Sequence, residues 1–231
     1  MTTATTTPPA APPASGPTKA HRYKLAEDFL AEVGDVPIER IVFDPAPGTA
    51  THEQCIEFNE RKEIGLAELV NGTLILKAMG RFESAVASVL IRLVGNWQAD
   101  NLPGTVTGSD GMQRMDGGNV RMPDVAFYPR SQYVDGQFPR HKVGHADELM
   151  LLAVEVLSES NTPREIDMKL REYFATGTKL AWVIDPRTQT VRVYDKPDKP
   201  DTFRQIDRTD TLDGGEVLPN FSIPVAKIFD V

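Results

Sequence analysis

Asp124, directly after Pro123, and Glu155, about thirty residues further on, are the residues of this 231-residue chain best placed by type to do chemistry. Asp124 opens the apolar run Val125-Ala126-Phe127-Tyr128, and Glu155 lies inside Leu149-Met150-Leu151-Leu152-Ala153-Val154-Glu155-Val156-Leu157. A carboxylate in such company must be compensated, because burying an unpaired charge is costly. A hard divalent cation, which prefers oxygen donors, is one such compensation. Two carboxylates on one ion, with the ammonium of Lys169 nearby, make a constellation suited to metal-assisted hydrolysis of a phosphodiester. Glu68, on a strand-like stretch, is a third candidate donor. Mg²⁺ is the expected ion, with Mn²⁺ as a substitute, held by Glu68, Asp124 and Glu155. Lys169 would orient water or offset charge in the transition state.

The elements that must position these groups follow from local pattern. Leu66–Val70, Asn71-Gly72 and Thr73–Leu76 read as a hairpin that carries Glu68 on its first strand, since Asn-Gly accepts the positive φ of a tight turn. Val86, Val89, Leu90, Leu93, Val94 and Trp97 recur at helical spacing between Phe82 and Trp97. Strands are expected around Gly104–Gly108, Met112–Met115, Arg121–Tyr128 and Leu151–Leu157. Asn161 or Thr162 caps a helix starting near Pro163, with Ile166, Leu170, Tyr173 and Phe174 inward and Gly177 as its stop. Leu180–Asp185 and Thr190–Tyr194 complete a second hairpin, and Lys24–Val33 reads as a short helix before an irregular connection over residues 35–53. This succession predicts an α/β or α+β fold with a mixed sheet flanked by helices.

Residues 1–20 are rich in Thr, Pro and Ala and are expected to form a disordered tail, with residues 21–231 as one domain. No apolar run is long enough to span a bilayer and the start lacks the features of an export signal, so the cytoplasm is the expected location and no membrane partner is expected. Cys55 is the single cysteine, which excludes an internal disulfide and a thiolate-rich zinc site. His141 and His145 have the wrong context for a helical zinc motif, Ser158 lacks a histidine partner, and the glycines fit no phosphate-loop pattern. The net charge of −8 disfavours indiscriminate attraction to polyanions, so a nucleic-acid substrate would need a local basic rim, for which Arg130, Arg140, Lys142, Arg164, Lys169 and Arg171 are candidates.

The stretches Ala67–Leu74, Val120–Phe127, Leu152–Thr162, Lys169–Phe174 and Ala181–Pro186 together resemble the Uma2 family of restriction-endonuclease-like proteins, and the likeness continues through Thr211–Phe221. The resemblance implies a PD-(D/E)XK nuclease core with Asp124 and Glu155 at a metal site and Glu68 as an upstream acidic ligand. In the wider superfamily a lysine stands two residues after the glutamate; here that position is Leu157, and Lys169 on the following helix matches the family's basic group. The same resemblance implies a metal-dependent endonuclease acting on DNA and working as a homodimer. The alternative is a non-catalytic interaction or structural module on the same core.

Overall fold

The computed structural model describes residues 23–61, 63–78 and 80–231; the expected tail over residues 1–20 lies outside the described residues. The elements begin with α1 (Ala26–Glu32), α2 (His52–Arg61), the hairpin β1 (Ala67–Val70) and β2 (Thr73–Leu76), and the long α3 (Arg81–Asp100). They continue with β3 (Gly104–Gly108), β4 (Gln113–Arg114), β5 (Val120–Arg121), β6 (Val125–Pro129) and β7 (Leu152–Val156). Then come α4 (Pro163–Ala175), β8 (Leu180–Asp185), β9 (Thr190–Tyr194), β10 (Arg204–Ile206), β11 (Thr211–Asp213) and β12 (Ser222–Pro224). The α/β class with a mixed sheet and flanking helices is as expected.

A six-stranded sheet in the order β10-β9-β8-β7-β6-β3 is the body of the fold, with β7 and β8 parallel and the other neighbours antiparallel. The parallel pair is bridged by α4, the crossover such a pair requires. On one face α3 buries Val86, Ala87, Leu90, Val94 and Trp97 against Val125, Phe127, Leu152 and Val154. The helical spacing read from the sequence is the cause of that face, although Val89 and Leu93 are only partly buried. The opposite face receives α4 through Ile166, Leu170 and Phe174 against Ala181, Val183 and Tyr194. Each large apolar side chain buried in this way contributes about 1.5–3 kcal/mol.

A second sheet, β2-β1-β5-β4, is built on the predicted hairpin, whose turn places Asn71 at φ 49° and Gly72 at φ 76°. Two expectations are corrected here. The run Arg121–Tyr128 is not one strand: β5 ends at Arg121 in the small sheet and β6 starts at Val125 in the large one, with Met122-Pro123-Asp124 as the step between them. Pro123 has no N–H to give to a ladder, so pairing stops there. The connection over residues 35–53 is also less irregular than its composition implies, since α2 begins at His52. Its Asn59 donates to the Ala67 carbonyl at 2.8 Å and accepts from the Ala67 N–H at 2.8 Å, a tertiary contact that stabilises a short, mostly polar helix.

Candidate active site at the junction of the two sheets

The step from β5 to β6 fixes Asp124. Its N–H donates to the Val154 carbonyl at 2.9 Å, while its Oδ2 accepts from the Val156 N–H at 2.7 Å, so the carboxylate is clasped to β7 on either side of Glu155. Glu155 is in mid-strand, opposite Val183 of β8, and turns towards the face that α4 covers. Glu68 reaches the same region from β1 and accepts from the Met122 N–H at 2.9 Å.

From above, α4 lowers a polar stripe onto these acids. Thr162 caps the helix by accepting from the Glu165 N–H at 3.0 Å and Pro163 follows at its first turn, as the sequence predicts. Glu165, Lys169 and Tyr173 then fall at intervals of four, one helical face, and all three are buried. The Lys169 ammonium lies 2.9 Å from Glu155 Oε2 and 3.0 Å from Glu68 Oε1. The Tyr173 hydroxyl donates to the other Glu155 oxygen at 2.5 Å. Tyr173 therefore belongs to the site as well as to the core, where its ring packs with Met115, Ala126 and Ala153. Lys169, with 2% of its surface exposed, is no part of a basic rim.

Three residues that the sequence pattern did not single out complete the cluster. Lys77, just past β2, stands 2.7 Å from Asp124 Oδ1. Arg121 approaches Glu68 Oε2 at 3.1 Å and forks onto Glu172 with bonds of 2.6 and 2.9 Å. Glu172 also accepts from Asn119 at 2.9 Å. The only local signals were a charged residue at a strand end for Lys77 and Arg121, and a place on α4 three residues after Lys169 for Glu172.

The electrostatics follow from burial and from who shares Lys169. Burial pushes both glutamates up. At Glu68 this is outweighed by Lys169, Arg121, Lys77 and the Met122 N–H, which bring its pKa down to about 2. At Glu155 burial prevails over Lys169 with the help of the Asp124 and Glu68 charges, and its pKa is raised to about 7. Burial alone would neutralise Lys169, yet Glu155, Glu68 and Glu165 hold it above the ordinary lysine value. Two acids with pKa values driven apart on one shared cation suit a site of chemistry.

Would a divalent ion suit these groups? Asp124 and Glu155 offer hard oxygen donors, and Asp124 Oδ1 is buried with no hydrogen bond of normal geometry, its contact with Lys77 being a close ion pair at a poor angle. That donor chemistry fits Mg²⁺. Yet among the described residues no three His, Cys, Asp or Glu side chains form a group able to hold a metal, and both oxygens of Glu68 are committed to Lys169, Arg121 and Met122, as both of Glu155 are to Lys169 and Tyr173. Of the three acids only Asp124 has an oxygen without a hydrogen bond, so an ion bound there would have to draw Glu155 or Glu68 away from its present partners. Glu68, Asp124, Glu155 and Lys169 are each no more than 4% exposed, so the site is closed in this conformation.

The other candidates lie elsewhere. His141 and His145 stack with ring centroids 4.6 Å apart on the surface near Glu148, and Ser158 bonds to Asn161. Lys142, Arg164 and Arg171 pair with Glu60, Asp35 and Asp201, which reduces their value as a basic rim. Among the described residues no helix is long and apolar enough to cross a membrane.

Comparison with known proteins agrees with this architecture. A solved structure described as a "putative nuclease belonging to DUF820" from Anabaena variabilis aligns with a TM-score of 0.61 at 18% identity, covering 71% of this chain and 89% of that one. At that identity the likeness is one of fold. No curated protein matches the chain. The pattern of the Uma2 family, described as "Putative restriction endonuclease", matches residues 52–226, a span that holds Glu68, Lys77, Asp124, Glu155 and Lys169. By that match over most of its length, the chain belongs to the Uma2 family.

Proposed function

We propose that the chain is a metal-dependent endonuclease that hydrolyses DNA phosphodiester bonds at the junction of its two sheets. The observation that carries this reading is the convergence of Asp124, Glu155 and Lys169 from a broken strand, a central strand and the crossover helix in a member of a nuclease-like family. Asp124 and Glu155 would hold Mg²⁺ or Mn²⁺, with Glu68 helping through Lys169, which it anchors from the other side. A divalent cation there supplies Lewis-acid polarisation of a phosphoryl oxygen and a water of lowered pKa. Lys169 would orient the attacking water and offset the negative charge that develops on the phosphoryl oxygens. Tyr173 keeps Glu155 aligned by its hydrogen bond, and Arg121 fixes Glu68. A homodimer would allow both strands of a duplex to be cut.

The test pairs calorimetry with cleavage of defined single- and double-stranded DNA. Asp124→Asn and Glu155→Gln should weaken Mg²⁺ binding by removing a charged donor, while Lys169→Met should retain more of the binding and lose cleavage. Metal binding unchanged in both acidic variants would overturn the site. A second reading, a non-catalytic module on the same core, is favoured by the closure of the cluster and the internal neutralisation of its acids by Lys77, Arg121 and Lys169. Folded wild-type protein that binds no metal and cuts no DNA would select it.

A further inference from the structure

Lys77 is the one cation of the cluster held chiefly by main-chain oxygen. Its ammonium donates to the Met122 carbonyl at 2.6 Å and to the Ser109 carbonyl at 3.1 Å, and it faces Asp124 Oδ1 at 2.7 Å. Two carbonyls and a carboxylate are the donor types that a hard cation takes. The side chain is 6% exposed and that of Asp124 is 2% exposed, so no solvent shares the neutralisation of Asp124. The geometry points to Lys77 as a resident counter-cation that occupies the cation position beside Asp124 and must be displaced when a divalent ion enters. This inference rests on the metal-dependent reading proposed above.

Displacement, and not joint occupancy, follows from charge and distance. An ion bonded to Asp124 Oδ1 would come within a few ångströms of an ammonium already 2.7 Å from that atom, in surroundings with little water to screen the repulsion. The lysine stem is unbranched, and one residue of its cage lines a cleft. Met122, which supplies one carbonyl, lines the cleft of about 220 Å³, together with Leu66 and Asp110, the residue after Ser109. A released ammonium therefore has a cleft beside it whose lining carries Asp110 as well as the Lys142–Glu60 ion pair. With Lys77 in its cage the charge of Asp124 is balanced; with Lys77 in the cleft, Asp124 is free to ligate. The protein would then be stable without metal, at the expense of metal affinity.

Two measurements test this without reference to activity. In the first, Mn²⁺ binding is followed by calorimetry for wild type, Lys77→Met and the double variant Lys77→Met/Asp124→Asn, each checked for a cooperative melt. Lys77→Met should bind at least about tenfold tighter than wild type, the gain expected when a competing cation is removed, and the added Asp124→Asn should abolish that gain. Equal affinity in wild type and Lys77→Met would overturn the role of Lys77 while leaving the metal site intact. Absence of binding in both would remove the metal reading and this inference with it. In the second, the wild-type chain is acetylated with and without Mg²⁺ and the modified lysines are mapped by mass spectrometry, a readout that does not depend on whether a variant folds. Lys77 should be protected without metal and several-fold more reactive at saturating Mg²⁺. Protection that persists at saturation would overturn the displacement.

Discussion

The Tyr173 hydroxyl donates to Glu155 Oε1 at 2.5 Å, on the oxygen that Lys169 leaves free. Each residue explains the other's presence in the interior: the tyrosine buries its ring and still satisfies its hydroxyl, and the glutamate has both oxygens occupied. A hydrogen bond to a charged or partly charged group contributes about 1.5–3 kcal/mol. Tyr173→Phe, which keeps the ring, should lower stability by about that amount in urea unfolding. A change near zero would return Tyr173 to a purely apolar role.

Arg40 should be a support of the site although it precedes the family match. It forks onto Glu165 with bonds of 2.6 and 2.9 Å and also donates to the carbonyls of Leu76 at 2.8 Å and Ser160 at 3.0 Å, so it ties the N-terminal segment to β2 and to the start of α4. The fit there is tight, since a Cβ on Gly34, at φ 86°, would stand 2.8 Å from Glu165 Cα. Burial works against the Glu165 charge and Arg40 leads the groups that keep its pKa low. Arg40→Ala leaves that charge with only Asn161 and the more distant Lys169 and should cost about 3–5 kcal/mol. Adding Glu165→Gln should recover part of the loss, measured as a double-mutant cycle in denaturant.

The two buried glutamates that share Lys169 give the cluster opposite pH slopes. Glu155, raised from an ordinary 4.5 to about 7, is protonated more readily in the folded state; its contribution is full below pH 4.5 and is lost as pH rises to about 7. Glu68, depressed to about 2, contributes fully above pH 4.5 and loses that contribution as pH falls towards 2. Glu155→Gln should therefore flatten the decline in stability between pH 4.5 and about 7 and leave the acid limb in place. Unfolding midpoints across that range check it, and an unchanged slope would assign the decline to other groups.

Leu90 tests the scaffold. It is fully buried on α3, within the cluster formed by β6, β7 and β8. Leu90→Ala should cost about 2–5 kcal/mol, with the larger value if the cavity does not collapse. An unchanged denaturation midpoint would contradict the packing of that helix face.

What the sequence determined by itself was what local chemistry enforces. The Asn71-Gly72 turn, the Thr162 cap before Pro163, the apolar spacing of α3 and the acid inside β7 each depend on neighbours a few residues away, and each could be read without the fold. The anomaly of Glu155 pointed to a partner, and Lys169 lay within reach of local pattern because only 14 residues separate them. Tertiary structure decided the rest. Lys77 meets the Met122 carbonyl across 45 positions, Arg121 meets Glu172 across 51, and Arg40 meets Glu165 across 125. No periodicity encodes such pairs, because a lysine at a strand end or an arginine in a loop has the same local pattern whether it points to water or inward. Only the packing of β5, β6 and α4 into one junction, with too little water left to hydrate four carboxylates and three cations, forces those charges onto one another.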